Sequence, residues 1–388
     1  MSLGIYIQVP FCQTKCTYCN FHTGPAARSL YAPYASAVVR EIGEHGALYR
    51  SAGLPESDLD TANIADTIYL GGGTPSLLDP ADLARIVDAV RAHFPHTLSE
   101  VTLEADPETI TSQKAAAWRA SGINRISLGA QSFHDAELAA AGRMHRRHDI
   151  FSAIDCLRAT GFQNISLDLI AGLPHQTAAA WQDSLNELLR LRPEHVSIYL
   201  LEIDEGSRLG REVLAGGSRY GSAAVPDDDA MASFYEAGGE QLASAGYDHY
   251  EISNWALPGF RSRHNSKYWR REPYLGFGAG AHSFVGRRRW ANAHDAAQYV
   301  AAIERGVLPV EQREEISSAQ ALEEEMFLGL RQLEGVDLES IEQRYQTRLG
   351  PRVEPLLARG LLERDGARLR LAPRSLTVSN EVFVALLD

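Results

Sequence analysis

The sequence predicts an α/β fold: an open, partial (β/α)6 barrel followed by a small C-terminal winged-helix-like domain. Three observations carry this. β-branched runs alternate with amphipathic stretches over residues 1–200, and such alternation implies parallel strands joined by right-handed crossovers. The runs number six, too few for a closed barrel of the eight-stranded kind. Polar residues gather just past the C-terminal ends of these strands, where βα folds place their sites.

In order, the strands are GIYIQV (4–9), DTIYLG (66–71), EVTLEA (100–105), RISLGA (125–130), ISLDLIAG (165–172) and HVSIYLL (195–201). Helices are expected at DPADLARIVDAVRAHF (79–94), SQKAAAWRASG (112–122), DIFSAIDCLRATG (149–161) and TAAAWQDSLNELLRL (177–191). Asp79 or Asp82 caps the first, Thr177 opens the last, and Gly122 and Gly161 close the two between.

Residues 201–318 read as a barrel-capping extension. Within it 203–229 (IDEGSRLGREVLAGGSRYGSAAVPDDD), rich in Gly, Ser and Asp, reads as a surface excursion or a lid. Residues 319–388 run helix, helix, helix, short hairpin, helix, the outline of a winged-helix module. From residue 321 onward nine arginines, no lysine and twelve acidic residues leave a net charge of −3. That balance speaks against DNA and for packing or partner docking. The whole chain carries −13, so nucleic acid is not expected as a partner. No secretory leader and no apolar run of ~18 residues is present, and a cytoplasmic protein is expected.

Residues 10–22 read PFCQTKCTYCNFH. Cys12, Cys16 and Cys19 follow the spacing C-x3-C-x2-C, and Cys156 is the one further cysteine. So few thiols cannot staple a chain of this length, and clustered cysteines in a reducing compartment mean a metal or catalysis. Two ligand sets stay open on spacing alone. His22 would complete a tetrahedral Cys3His zinc site. Alternatively, three thiolates hold a four-iron four-sulfur cluster and leave one iron to a non-protein ligand. Cys156 sits in an apolar helical pattern and reads as a buried structural thiol.

The other strand ends add to the same rim. GGGTPS (71–76) ends the second strand, Glu104 and Asp106 the third, Gln131 follows the fourth, and Asp168 lies in the fifth. Three glycines present bare backbone to a ligand's amine or carboxylate, and they match neither a Walker loop nor a dinucleotide fingerprint. Singly each residue reads as a turn glycine or a capping carboxylate; together they point to one pocket.

The segments YIQVPFCQTKCTYCNF, GGGTPS, LEADPET, RISLGAQSF, GRMHRRHD, SLDLIAGLPHQT and HNSKYW together resemble the radical SAM superfamily, in its coproporphyrinogen III oxidase-like branch. The resemblance covers essentially the whole chain. It implies that Cys12, Cys16 and Cys19 ligate a 4Fe-4S cluster, with S-adenosyl-L-methionine on the fourth iron. By matching position, Tyr6 and Tyr18 would flank cluster and cofactor, and Gly72, Gly73 and Thr74 would meet the methionyl end. Glu104 would contact the cofactor's polar end, and Gln131, Arg143 and Asp168 would complete the pocket. His22 then becomes a loop residue.

Two departures set the chain apart from the oxidases of that branch and match its haem-chaperone group. The oxidases continue the motif to C-x3-C-x2-C-x-C, where this chain has Phe21, and they carry a long segment before it, where eleven residues precede Cys12. The expected function is therefore that of a haem chaperone serving haem-accepting respiratory proteins, including those at the membrane surface. The alternative is an oxygen-independent coproporphyrinogen III oxidase; whether the chain is an enzyme at all, and its oligomeric state, stay open. For haem, His264 within NWALPGFRSRHNSKYWRR (254–271) is the expected axial imidazole. Tyr268 and Trp269 would offer aromatic surface. Arg261, Arg263, Lys267, Arg270 and Arg271 would meet the propionates.

Overall fold

The computed structural model describes residues 2–54 and 64–387. Its first half holds the six expected strands, β1 (Ser2–Val9), β2 (Ile64–Gly72), β3 (His96–Ala105), β4 (Arg125–Gln131), β5 (Ile165–Ala171) and β6 (His195–Leu200). Each pairs in parallel with the next. Crossovers run through α1 (Tyr31–Ser51), α2 (Pro80–His93), α3 (Ser112–Ala120), α4 (Asp135–Ala140) with α5 (Arg147–Ala159), and α6 (Ala178–Leu191). The side chain of Asp79 accepts from the Ala81 amide at 2.8 Å and that of Thr177 from Ala180 at 3.2 Å. α3 and α5 stop at Gly122 and Gly161, whose φ of +92° and +90° suits glycine. Of these, α1 and the short α4 are not among the expected helices; in α1 Pro33, Gly43 and Gly46 interrupt the pattern.

The two faces of each barrel strand differ in chemistry. Ile5, Ile7, Ile68, Leu70, Val101, Leu103, Ile126, Leu128, Leu167, Leu169, Val196 and Ile198 enter the main hydrophobic core under the helices. Their alternates are polar and meet one another across the inner face, as strand pleating requires. Ser127 donates to Asp168 at 3.2 Å, Ser166 bonds the His195 ring at 2.8 Å, and the Tyr6 and Tyr69 rings stack.

Residues 201–318, expected to cap the barrel, lengthen its sheet at both edges. β7 (Asp248–Glu251) and β8 (Asn254–Ala256) continue antiparallel from β6. On the other side β9 (Tyr274–Phe277) lies parallel to β1, followed antiparallel by β10 (His282–Val285), β11 (Arg288–Asn292) and β12 (Val310–Glu315). The order is β12-β11-β10-β9-β1-β2-β3-β4-β5-β6-β8-β7. The stretch 203–229 is not loose. It forms α7 (Arg208–Leu214) and a short 3-10 turn before α8 (Asp228–Ser244), and Leu209 donates its amide to the Thr17 carbonyl of the cysteine loop at 2.8 Å.

α9 (Arg263–Trp269) lies at the start of β1 and β2, and α10 (Ala296–Glu304) packs on α1. The last part carries the expected order: α11 (Ser318–Arg331), β13 (Val336–Asp337), α12 (Leu338–Tyr345), α13 (Gly350–Ala358), the β14 (Leu362–Asp365)–β15 (Arg368–Leu371) hairpin and α14 (Ser379–Leu387). It has its own apolar core around Leu330, Ile341, Leu356 and Leu369, joined by Ile252 of the larger unit.

A carboxylate fixes the β9–β11 edge. Glu41 of α1 is fully buried and accepts from the Gly278 amide (2.9 Å), the Asn292 amide group (2.8 Å) and the Tyr299 hydroxyl (2.5 Å). Burial pushes its pKa up to about 7, against those three donors. Glu41→Ala would leave the Gly278 amide and the Tyr299 hydroxyl unpaired, at roughly 1–3 kcal/mol for each buried orphan, while the Asn292 amide group keeps the Gly278 carbonyl at 3.0 Å. We expect urea denaturation to show a loss of about 3 kcal/mol; a loss under about 1 kcal/mol would mean that water reaches these donors.

Candidate functional site

The site is built where β1 and β2 end together. Beyond Val9 the chain turns into the cysteine loop, and the glycines that end β2 lie against it. The Gly73 amide donates to the Val9 carbonyl at 2.8 Å and the Thr74 amide to that of Phe11 at 2.7 Å. A Cβ at Gly73 would stand 2.5 Å from the Phe11 carbonyl oxygen and 3.0 Å from Cys12 Sγ, so only glycine lets the two segments close. Gly72, at φ +111°, donates to Glu104 Oε2 at 2.9 Å. With these amides engaged internally, the ledge has carbonyl oxygens to offer a ligand's ammonium.

Cys12, Cys16 and Cys19 are free thiols on the wall of a cavity of about 490 Å³ at the C-terminal rim. Tyr18, Gly72, Gly73, Thr74, Glu104, Gln131, Arg143 and Asp168 share that wall, so eleven of the predicted residues come together. Burial raises the Cys12 thiol to about 11, opposed by the Thr23 hydroxyl and reinforced by Asp106, Cys16 and Cys19. Among the described residues no three His, Cys, Asp or Glu side chains converge on one point as a single metal ion requires. Three thiols on one cavity wall are the ligand number of a four-iron cluster that leaves one iron to a non-protein ligand.

Arg143 is the hub of the wall. Its guanidinium donates to Asp106, to the Gly129 carbonyl at 2.9 Å and to Cys16 Sγ at 3.5 Å. Its Nε is buried and without a hydrogen-bond partner, a donor aimed at nothing the protein supplies. An anionic ligand group would satisfy it. Thr74 also donates to Asp106, at 3.0 Å. On the next wall, burial raises Glu104 to about 7 against the pull of the Tyr69 hydroxyl (2.8 Å) and the Gly72 amide, and Asp168 and Asp106 push it further. Burial raises Asp168 as well, against Ser197, Ser127, Arg125 and Ser166. The arrangement thus presents a cation, two carboxyls, bare carbonyls and three thiols to one volume. Asp106, Ser127 and Tyr199 line it too. Asp106 was already placed at this rim by the sequence; the signal for Ser127 and Tyr199 was their position on the strands that carry Gln131 and end beside Asp168.

Several expectations need correction. Tyr6 does not reach the cavity wall; it lies below, its hydroxyl donating to Gln8 Oε1 at 2.5 Å and its ring stacked on Tyr69. His264 is 0% exposed. Its Nδ1 meets Thr67 Oγ1 at 2.9 Å and its Nε2 the Tyr268 hydroxyl at 2.8 Å, so neither nitrogen is open to an iron. Burial, with Lys267 nearby, drops this imidazole to about 3. The basic cluster is largely spent on acids. Arg261 pairs with Glu334, Lys267 with Asp66 and Glu272, and Arg271 with Glu324. These residues sit at the strand starts, at the opposite end of the barrel from the cysteines. Cys156 is half-buried rather than buried, donating to Ser112 Oγ at 3.5 Å. His22 stacks on His294 with ring centroids 4.2 Å apart.

Comparison with known proteins gives the family and the fold. The Radical SAM superfamily model matches residues 6–188 and the HemN C-terminal domain model residues 316–377. The chain is 34% identical to heme chaperone HemW of Bacillus subtilis (strain 168), covering 98% of each chain. It is 36% identical to heme chaperone HemW of Mycobacterium tuberculosis (strain ATCC 25618 / H37Rv), covering 99% of this chain and 94% of that protein. Among solved structures, coproporphyrinogen III oxidase (HemN) from Escherichia coli superposes with a TM-score of 0.82 over 99% of this chain and 90% of its own. At 20% identity that likeness speaks for the fold.

Anaerobic reconstitution with iron and sulfide tests the thiol set. Cys12→Ser, Cys16→Ser and Cys19→Ser should each abolish uptake of a four-iron species, while Cys156→Ser should take up the full complement. Gly73→Ala should load poorly although its secondary structure, read by circular dichroism, is kept. Full loading of Gly73→Ala would show that the cysteine loop can shift to accept a side chain.

Proposed function

The chain belongs to the radical SAM superfamily, in the coproporphyrinogen III oxidase-like branch with the HemW proteins, and on that premise we propose that it is a haem chaperone that hands haem to respiratory haem proteins. The observation that carries the reading is similarity at about one-third identity over the full length of heme chaperones. The superfamily implies a 4Fe-4S cluster and S-adenosyl-L-methionine, and the cavity has the means to hold both: three thiols, a ledge that admits no Cβ, and the orphaned Arg143 Nε.

In this reading Cys12, Cys16 and Cys19 hold the cluster. Arg143 receives the carboxylate of adenosylmethionine, and the Gly72–Thr74 ledge takes its ammonium on carbonyl oxygens. Glu104, Gln131 and Asp168 accept from or donate to its remaining polar groups. When bound, the cluster would supply one-electron redox capacity beside the adenosylmethionine sulfonium. The protein's own contribution is to orient the ligand between opposite charges and to keep its polar end out of bulk water. The superfamily and the branch say nothing of the recipient; respiratory proteins and a cytoplasmic site of action belong to this proposal. No helix among the described residues is long and apolar enough to cross a membrane.

Glu104 makes cofactor binding depend on pH. Its pKa is raised to about 7, so it holds a proton below that value and carries charge above it. A cationic ligand group beside it should therefore bind more tightly at pH 8 than at pH 6, by up to about tenfold for one charge-assisted contact. Isothermal titration across that range should show the rise, and Glu104→Gln should flatten it. A flat profile in the unaltered protein would remove Glu104 from contact with the cofactor.

Carrier and oxidase are separated by one experiment. With its cluster rebuilt anaerobically, the protein should bind haem at one equivalent per chain and leave coproporphyrinogen III unchanged in the presence of adenosylmethionine and reductant. Steady formation of protoporphyrinogen would overturn the chaperone reading in favour of the oxidase.

A further inference from the structure

If the protein carries haem, the iron needs an accessible ligand, and His264 is not one. His145 and His195 are buried as well, with ring nitrogens bonded to the Ala130 carbonyl and to Ser166 and Tyr250. His249 is stacked on Trp255 and bonded to the Ile252 carbonyl. Among the remaining histidines, three gather at one place. His22 ends the cysteine loop, His282 opens β10, and His294 follows β11. Since β9 runs parallel to β1, the turn after β9 brings this group to the cysteine end of the sheet.

The grouping is built rather than incidental. His294 lies against the bare backbone of Gly280, where a Cβ would come within 2.8 Å of its Nδ1, and Gly280 holds φ +73°. His22 packs on His294 with an interplanar angle of 31°. Partial burial, then the neighbouring His294 and Arg289, hold His282 below its ordinary pKa. None of the three rings has a hydrogen-bond partner among the described residues. Beside them Phe21 is 67% exposed, an apolar surface next to imidazole. Lys15, which donates to the Phe21 carbonyl at 2.9 Å, and Arg28, which has no acid partner among the described residues, lie on the same loop and just after it. An imidazole, an apolar ring face and two cations are what an iron porphyrin with two carboxylates needs.

We propose that haem docks at this rim, with His22 as its axial ligand, His294 behind it and Phe21 against the macrocycle. This rests on the chaperone reading. The site lies at the cysteine end of the barrel, not at the α9 end where the HNSKYW segment is buried. Haem and cluster thus occupy neighbouring positions on one loop.

The test is a titration of the full-length, cluster-loaded protein with ferric haem, followed by the Soret band and by electron paramagnetic resonance. His22→Ala should bind at least tenfold more weakly and lose the low-spin signature of imidazole ligation. His22→Met should retain haem with a shifted Soret band. Iron and sulfide content should be the same in all variants, showing that the loop is intact. Equal affinity and an unchanged spectrum in His22→Ala and in His22→Ala/His294→Ala would overturn this assignment and leave the chaperone reading in place. An unaltered protein that binds no haem, or binds only divalent metal at the histidines, would overturn both.

Discussion

The inner face of the barrel is polar, and the position of the site follows from how that face is satisfied. A closed (β/α)8 barrel fills its interior with layers of branched aliphatic side chains. Here Thr67, Arg125, Ser166 and His195 occupy the lower layer, where an unpaired buried group would cost about 1–3 kcal/mol. They are paired: Thr67 with His264, Ser166 and Tyr250 with His195, Arg125 with Asn164. α9 brings His264 and Tyr268 into that layer and closes the bottom. At the top no such plug is found among the described residues, and Glu104, Asp168 and Arg143 line a cavity.

Charge is balanced within that cavity on a small scale. Arg143 sits between Asp106 and a cysteine sulfur, so its cation is partly neutralised before any ligand arrives. In the proposed arrangement a thiolate cluster would add negative charge at Cys16, and a carboxylate at Nε would add more. The guanidinium can serve all three because its donors form a planar fork. A lysine could not.

Much of this was legible from residues alone. The six strands were visible because a strand buried on its outer face must be apolar at every second position, and the rim residues because chemistry follows strand ends. The cysteine spacing and the triple glycine were specific, and the structure gives the reason: Gly73 abuts Phe11 and Cys12 with no room for a methyl group. What the pattern could not carry was depth. Tyr6 and His264 both look like site residues in one dimension, yet strand pairing sets Tyr6 one layer below the cavity, and the crossing of α9 under β2 buries His264. The 201–318 segment was opaque because short strands that join an existing sheet at its edges leave no periodicity of their own. The histidine group at the rim drew its members from residues 22, 282 and 294, a separation that only pairing of β1 with β9 removes.

That pairing has a consequence for how the protein comes into being. β1 is flanked on one side by residues 64–72 and on the other by 274–277. A chain made from its N-terminus presents the three thiols first, and about two hundred and sixty residues must follow before the strand beside them exists. Through that interval the loop has only part of its final wall, and its sulfurs stand open to oxidants. Contacts this distant in sequence also form slowly. Metal loading is therefore tied to the end of synthesis, and a cell that makes this protein has to keep its nascent thiols reduced until the last strand of the barrel arrives.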